Sequence, residues 1–113
     1  MKIRRTGLLP GVALAGLMAF SGGSSSGEPG TGLWLLEACR GDNGDAGKAF
    51  CLGYAMGLAD LMLGQQRICM PTDLSSQQVR LVVEGYLKDH PEKLHQHPAL
   101  LVIEALDSNF PCK

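Results

Sequence analysis

With 113 residues, 10 basic and 11 acidic side chains, the chain has room for one domain with a modest core and carries no excess of positive charge. That balance removes the electrostatic footprint expected of a nucleic-acid or anionic-membrane binder. One Trp, two Tyr and three Phe are too few for extended stacking platforms for bases or sugars.

The N-terminus carries Lys2, Arg4 and Arg5 ahead of an apolar run from Leu8 to Phe20, with small residues at Ala19 and Ser21 suited to a signal peptidase. The run is shorter than the roughly 20 residues needed to span a bilayer, so residues 1–21 are expected to be an export signal. Its removal takes three basic residues and no acidic one, leaving 7 basic against 11 acidic side chains, a net charge of −4. No later apolar segment reads as a membrane span, so the processed chain is expected to be soluble, without cofactor. Residues 22–32, rich in Gly and Ser, read as a flexible tether.

Folded structure is expected from Leu33. Residues 33–40 read as a short helix with Thr31 as N-cap and Gly41 as stop. An acidic, turn-rich loop over 41–47 follows, containing Asp42, Asn43 and Asp45. Residues 48–63 carry apolar side chains on nearly every face, which predicts the central and most buried helix. Gly53 and Gly57 within it form a Gly-x-x-x-Gly face that predicts close helix packing inside the domain.

The clearest local signal is at Ser75. With Gln78 three residues on it forms a capping box, and Leu74 with Val79 fits a hydrophobic staple. Val79, Val82, Val83, Tyr86 and Leu87 then make the stripe of an amphipathic helix, which Pro91 ends at about His90. A turn through residues 92–94 leads to a last helix over 98–108, with Leu101, Val102, Ala105 and Leu106 facing inward. No segment alternates at period two, so the fold class is all-α: a small bundle of about four helices.

Four cysteines, Cys39, Cys51, Cys69 and Cys112, follow the export signal and read as a disulfide framework that staples the bundle twice. Sequence alone allows three pairings. An antiparallel hairpin of the first two helices brings Cys39 to Cys51, and one of the last two brings Cys69 to Cys112, which is the expected connectivity. With all thiols oxidised, and without a Gly-x-Ser-x-Gly elbow or His-Glu-x-x-His helix, the chain is not expected to be an enzyme. His90, His95 and His97 lie close together, but His90 and His97 each precede a proline, where caps and turns form, so structural roles are expected rather than a metal site. Met56, Met62 and Met70 read as core filler, and Asp60 as a structural or helix-end carboxylate.

The string Phe50-Cys51-Leu52-Gly53-Tyr54, followed by Gly57, Asp60, Cys69-Met70-Pro71, Gln78, Tyr86-Leu87, His90-Pro91-Glu92, Leu94-His95 and Phe110-Pro111-Cys112, resembles the Rap/Tai family of type VI secretion amidase immunity proteins. Met70 is the one departure, standing where a branched aliphatic residue is expected. The resemblance covers residues 33–112. It implies a periplasmic, helical, non-enzymatic protein that binds and inhibits a secreted peptidoglycan amidase, and a homodimer is compatible with it. A small periplasmic stress chaperone is the alternative, although such chaperones usually carry more charge than the 19% here. A helical ligand carrier is a further one, and would need an internal apolar cavity.

Two segments can protrude to fill an enzyme cleft: residues 41–47, with Asp42 and Asp45, and residues 64–67, with Gln65, Gln66 and Arg67. The second is favoured, because a bridge at Cys69 would hold its end rigid and lower the entropy lost on binding.

Overall fold

The computed structural model describes residues 27–113. The expected export signal and residues 22–26 of the expected tether lie outside that range. The described chain forms four α-helices and one short 3-10 turn, with no strand among the described residues. In order these are α1 (Gly32–Arg40), α2 (Gly44–Gly64), α3 (Ser76–Asp89), the 3-10 turn Pro91–Lys93 and α4 (Pro98–Asn109).

Each helix starts for a local reason. The Thr31 hydroxyl accepts the Trp34 N–H, and α1 stops at Gly41, whose φ of 86° suits a residue without Cβ. Ser75 and Gln78 cap α3 reciprocally, each side chain accepting the other's backbone N–H. His97 Nδ1 accepts the Ala99 N–H at the start of α4, where Pro98 takes the first helical position.

The core is one cluster. Leu35, Leu36 and Cys39 of α1 meet Cys51, Ala55, Ala59 and Met62 of α2, Val79, Val83 and Leu87 of α3, and Leu101, Val102 and Leu106 of α4. Met62 is fully enclosed, with Met56 and Met70 packed at the margin. Both expected disulfides are present: Cys39 with Cys51, Cα atoms 5.0 Å apart, and Cys69 with Cys112, at 4.9 Å.

Three features depart from the sequence-based expectations. Residues 27–32 are not a free tether: Gly27 is buried with its N–H on Glu37 Oε1, and Gly32 is buried against Leu94 and Leu101, its N–H on the Gln96 carbonyl. A methyl group at Gly32 would lie 3.2 Å from the Leu94 backbone and against the Leu101 side chain, closer than ordinary van der Waals contact. Second, α2 has a length and mean hydropathy sufficient by composition to cross a membrane, contrary to the expectation that nothing after residue 20 would. Its buried stripe and the bond to Cys39 nevertheless make it a packed bundle helix. Third, that burial is confined to one side. Phe50, Leu61 and Leu63 are exposed, and Gly53 and Gly57 face open space instead of a neighbouring helix.

Candidate functional site

The α2–α3 connection starts with a tight knuckle. As α2 ends, the N–H groups of Gln65, Gln66 and Arg67 return to the carbonyls of Leu61, Leu63 and Met62 at 2.8 to 3.0 Å. This is a helix terminus closed by a left-handed residue, and that residue is Gln66, at φ 60°. Gly64 stands two positions too early to serve. The next residue after the knuckle, Ile68, is plunged into the core. Arg67 reaches Asp107 of α4 at 2.9 Å, the Cys69 N–H donates to the Phe110 carbonyl at 2.9 Å, and the Cys69–Cys112 disulfide ties the segment to the chain's last turn. Gln65, Gln66 and Arg67 are thus exposed side chains on a backbone fastened on both sides.

The acidic loop is shorter than expected. It is reduced to Gly41, Asp42 and Asn43, because α2 begins at Gly44 and takes Asp45 into its first turn, where a carboxylate complements the positive end of the helix dipole. The Asp42 carboxylate pairs with Arg40 at 2.8 Å, and its N–H donates to the Glu37 carbonyl. Gly47, expected in the loop, is buried in α2 with the Ala38 carbonyl 3.2 Å from where its Cβ would lie. Asp42 and Asp45 therefore sit at one end of α2 and Gln65 to Arg67 at the other, about 30 Å away at 1.5 Å per residue. The two candidate segments do not form one site.

The histidine region is a structural fastening. His90 Nδ1 lies 2.7 Å from the Tyr86 carbonyl and its ring stacks on Tyr86 with centroids 4.0 Å apart. The Tyr86 hydroxyl donates to Glu104 Oε1 at 2.8 Å, and Lys93 Nζ approaches both at 3.3 Å. Burial and the Glu104 carboxylate push the Tyr86 phenol above its ordinary value. The Tyr86 hydrogen bond, with Lys93 beside it, holds the Glu104 carboxyl below its own. His97 caps α4, His95 is exposed, and no group of three His, Cys, Asp or Glu side chains able to hold a metal ion occurs among the described residues. Asp60 lies exposed on α2.

Sequence reasoning missed two residues. Glu37 is buried in α1, where only the fold shows that the Gly27 N–H meets its carboxylate. Phe50 lies in the helix expected to be the most buried, yet 42% of its surface is exposed, and it is the middle ring of an aromatic row, with Trp34 and Tyr54 5.1 and 5.7 Å from it.

The family of Rap1a immunity proteins matches residues 31–112, a stretch that runs from the cap of α1 to the last cysteine and holds all four helices and both disulfides. The chain belongs to the Rap1a immunity protein family. No curated protein and no solved structure matches it in the corresponding comparisons. Membership of this immunity family implies that the chain binds a partner effector protein. Its closed disulfides, together with membership of the Rap1a family, point to an exported protein.

Proposed function

We propose that this chain is a periplasmic immunity protein that binds and inhibits a peptidoglycan amidase delivered by type VI secretion. The observation that carries the reading is the Rap1a match across the whole folded domain. Two disulfides in a small helical bundle fit an oxidising compartment. The knuckle Gln65-Gln66-Arg67 is the proposed blocking element. The exposed Gln65 and Gln66 side chains can enter a cleft while the segment is held by Ile68, the Arg67–Asp107 pair and the Cys69–Cys112 bond, so little conformational entropy remains to be lost on binding.

The test is periplasmic co-expression with a candidate type VI peptidoglycan amidase, scored as cell survival, with affinity of the purified pair by calorimetry. The unaltered chain is expected to protect. Changing Gln65, Gln66 and Arg67 together to Ala is expected to weaken binding about 30-fold, corresponding to about 2 kcal/mol. Asp42→Ala and Asp45→Ala are expected to change affinity less than about 3-fold. Full protection by the triple variant would remove the knuckle from the interface, and failure of the folded, unaltered chain to protect would overturn the amidase reading itself.

A further inference from the structure

The chain turns back on itself just ahead of α1. Glu28, Pro29, Gly30 and Thr31 form a β-turn, closed by the Thr31 N–H and hydroxyl on the Glu28 carbonyl at 3.2 and 2.7 Å, with Gly30 in the left-handed region at φ 88°. The turn lays Gly27 along the first turn of α1. A Cβ at Gly27 would stand 2.7 Å from the Trp34 nitrogen, so a larger residue would push the segment off the helix. The Gly27 nitrogen lies 3.0 Å from Glu37 Oε1, and Glu37 is only 4% exposed. A main-chain nitrogen one residue ahead of the turn is thus seated on a buried carboxylate.

We propose that this nitrogen is the α-amine of the mature chain: the export signal is cut between Ser26 and Gly27, and Glu37 is the receptor that the new terminus occupies. A signal peptidase selects small residues one and three positions before the bond it cuts, and Ser26 and Ser24 supply them, after an apolar run that ends at Phe20. Ala19 and Ser21 make the same pattern earlier. The fold favours the later bond, because that cut leaves its terminus on a buried countercharge.

Hydrolysis adds one water across the Ser26–Gly27 bond, the hydroxyl going to the Ser26 carbonyl carbon and a proton to the Gly27 nitrogen. The acid formed on Ser26 releases its proton, and the amine, whose ordinary value is about 8, takes one up at neutral pH. A neutral N–H becomes an ammonium at the same point. The hydrogen bond to Glu37 then becomes an ion pair, the state in which a buried charge is stable. The positive end of α1 opposes it with roughly half a unit charge, less than the full charge of the carboxylate in contact. The domain therefore acquires this pair only once its signal has been removed. The inference rests on export of the chain and not on the amidase reading.

Expression of the full chain with export to the periplasm, followed by mass spectrometry of the N-terminal peptide, tests it. A mature chain beginning at Gly27 is expected. Its α-amine is expected to react with an acetylating ester at least about 10-fold more slowly than that of a Gly-Glu-Pro-Gly-Thr peptide, because the ion pair keeps it protonated and covered. Ser26→Leu is expected to force the cut upstream, which leaves the Gly27 nitrogen an amide. Glu37→Gln is then expected to lower the folding constant, read from urea unfolding, at least about 10-fold more in the chain beginning at Gly27 than in the Ser26→Leu chain. A processed chain that begins at another residue, an α-amine as reactive as the peptide's, or equal losses in the two backgrounds would each overturn the proposal while leaving export intact. A chain that stays uncut in the cytoplasm would overturn export as well.

Discussion

Arg80 Nη1 donates to the main-chain carbonyl of Cys39 at 3.0 Å, fastening the C-terminal end of α1 to α3. The same guanidinium is held by Gln77 through Nε at 2.9 Å and by Glu84 at 3.2 Å. A cation at the negative end of α1 satisfies a carbonyl that the helix itself leaves over, beside a cysteine with no exposed surface. Arg80→Met keeps the aliphatic packing and removes the donors, so it is expected to destabilise the fold by about 1–3 kcal/mol in urea unfolding. Arg40→Met, which breaks only an exposed pair with Asp42, is expected to cost less than about 0.5 kcal/mol.

Gln66 occupies a backbone conformation that favours glycine. Gln66→Gly is expected to raise stability by about 0.5–1 kcal/mol, the relief of Cβ crowding being offset in part by greater freedom of the unfolded chain. Gln66→Val is expected to lower it. Parallel thermal melts of the two variants check the sign, and equal melting temperatures would contradict the left-handed assignment.

The two disulfides differ in access and in ring size. Cys39 and Cys51 are sealed in the core, whereas Cys69 and Cys112 are exposed. A dithiol reductant applied under native conditions is therefore expected to open Cys69–Cys112 first, read as alkylation of those two thiols alone by mass spectrometry of quenched time points. Loop-closure entropy gives about 3 kcal/mol for the ring over 12 residues and about 4 kcal/mol for that over 43. Replacing Cys69 and Cys112 with Ala is thus expected to cost more than replacing Cys39 and Cys51, less any cavity left at the buried pair.

The cluster of Tyr86, Lys93 and Glu104 predicts pH dependence at both extremes. Glu104 has its folded value lowered, chiefly by the Tyr86 hydrogen bond, so its contribution is present above the ordinary 4.5 and lost as pH falls through the lower folded value. Tyr86 has its value raised, chiefly by burial, so its contribution is full below the ordinary 10.0 and lost as pH rises above it. Glu104→Gln is expected to flatten the acid limb of the stability profile, measured as urea midpoint against pH, and Tyr86→Phe the alkaline limb. Glu104 is exposed and Tyr86 only partly buried, so the effects are expected to be small and to shrink with added salt.

Where the signal was local, the sequence was a sufficient guide. Thr31, Gly41, the Ser75–Gln78 box and Pro91 act on backbone groups within four residues of themselves, so their effect does not depend on the rest of the fold. The inward stripe of α3, with Val79 and Val83, was legible because polar residues mark most of the opposite side, and that of α4, with Leu101 and Leu106, from its helical spacing. The cysteine pairing followed from two hairpins of adjacent helices.

For α2 this contrast was missing. Its residues are apolar or small almost all round, so periodicity could not tell which side is covered; α1, α3 and α4 decide that by packing against the Cys51, Ala55, Ala59 and Met62 side. The capture of Asp45 by the helix, the burial of Glu37 and Gly27, and the separation of the acidic end from the Gln65–Arg67 knuckle are likewise tertiary outcomes. Each depends on contacts between residues ten or more positions apart or on the length and direction of a whole helix. The sequence alone determined where most helices begin and end and which cysteines meet, because those are set by neighbours along the chain. Which faces of the bundle remain open to a partner was decided only when four helices had to share one core.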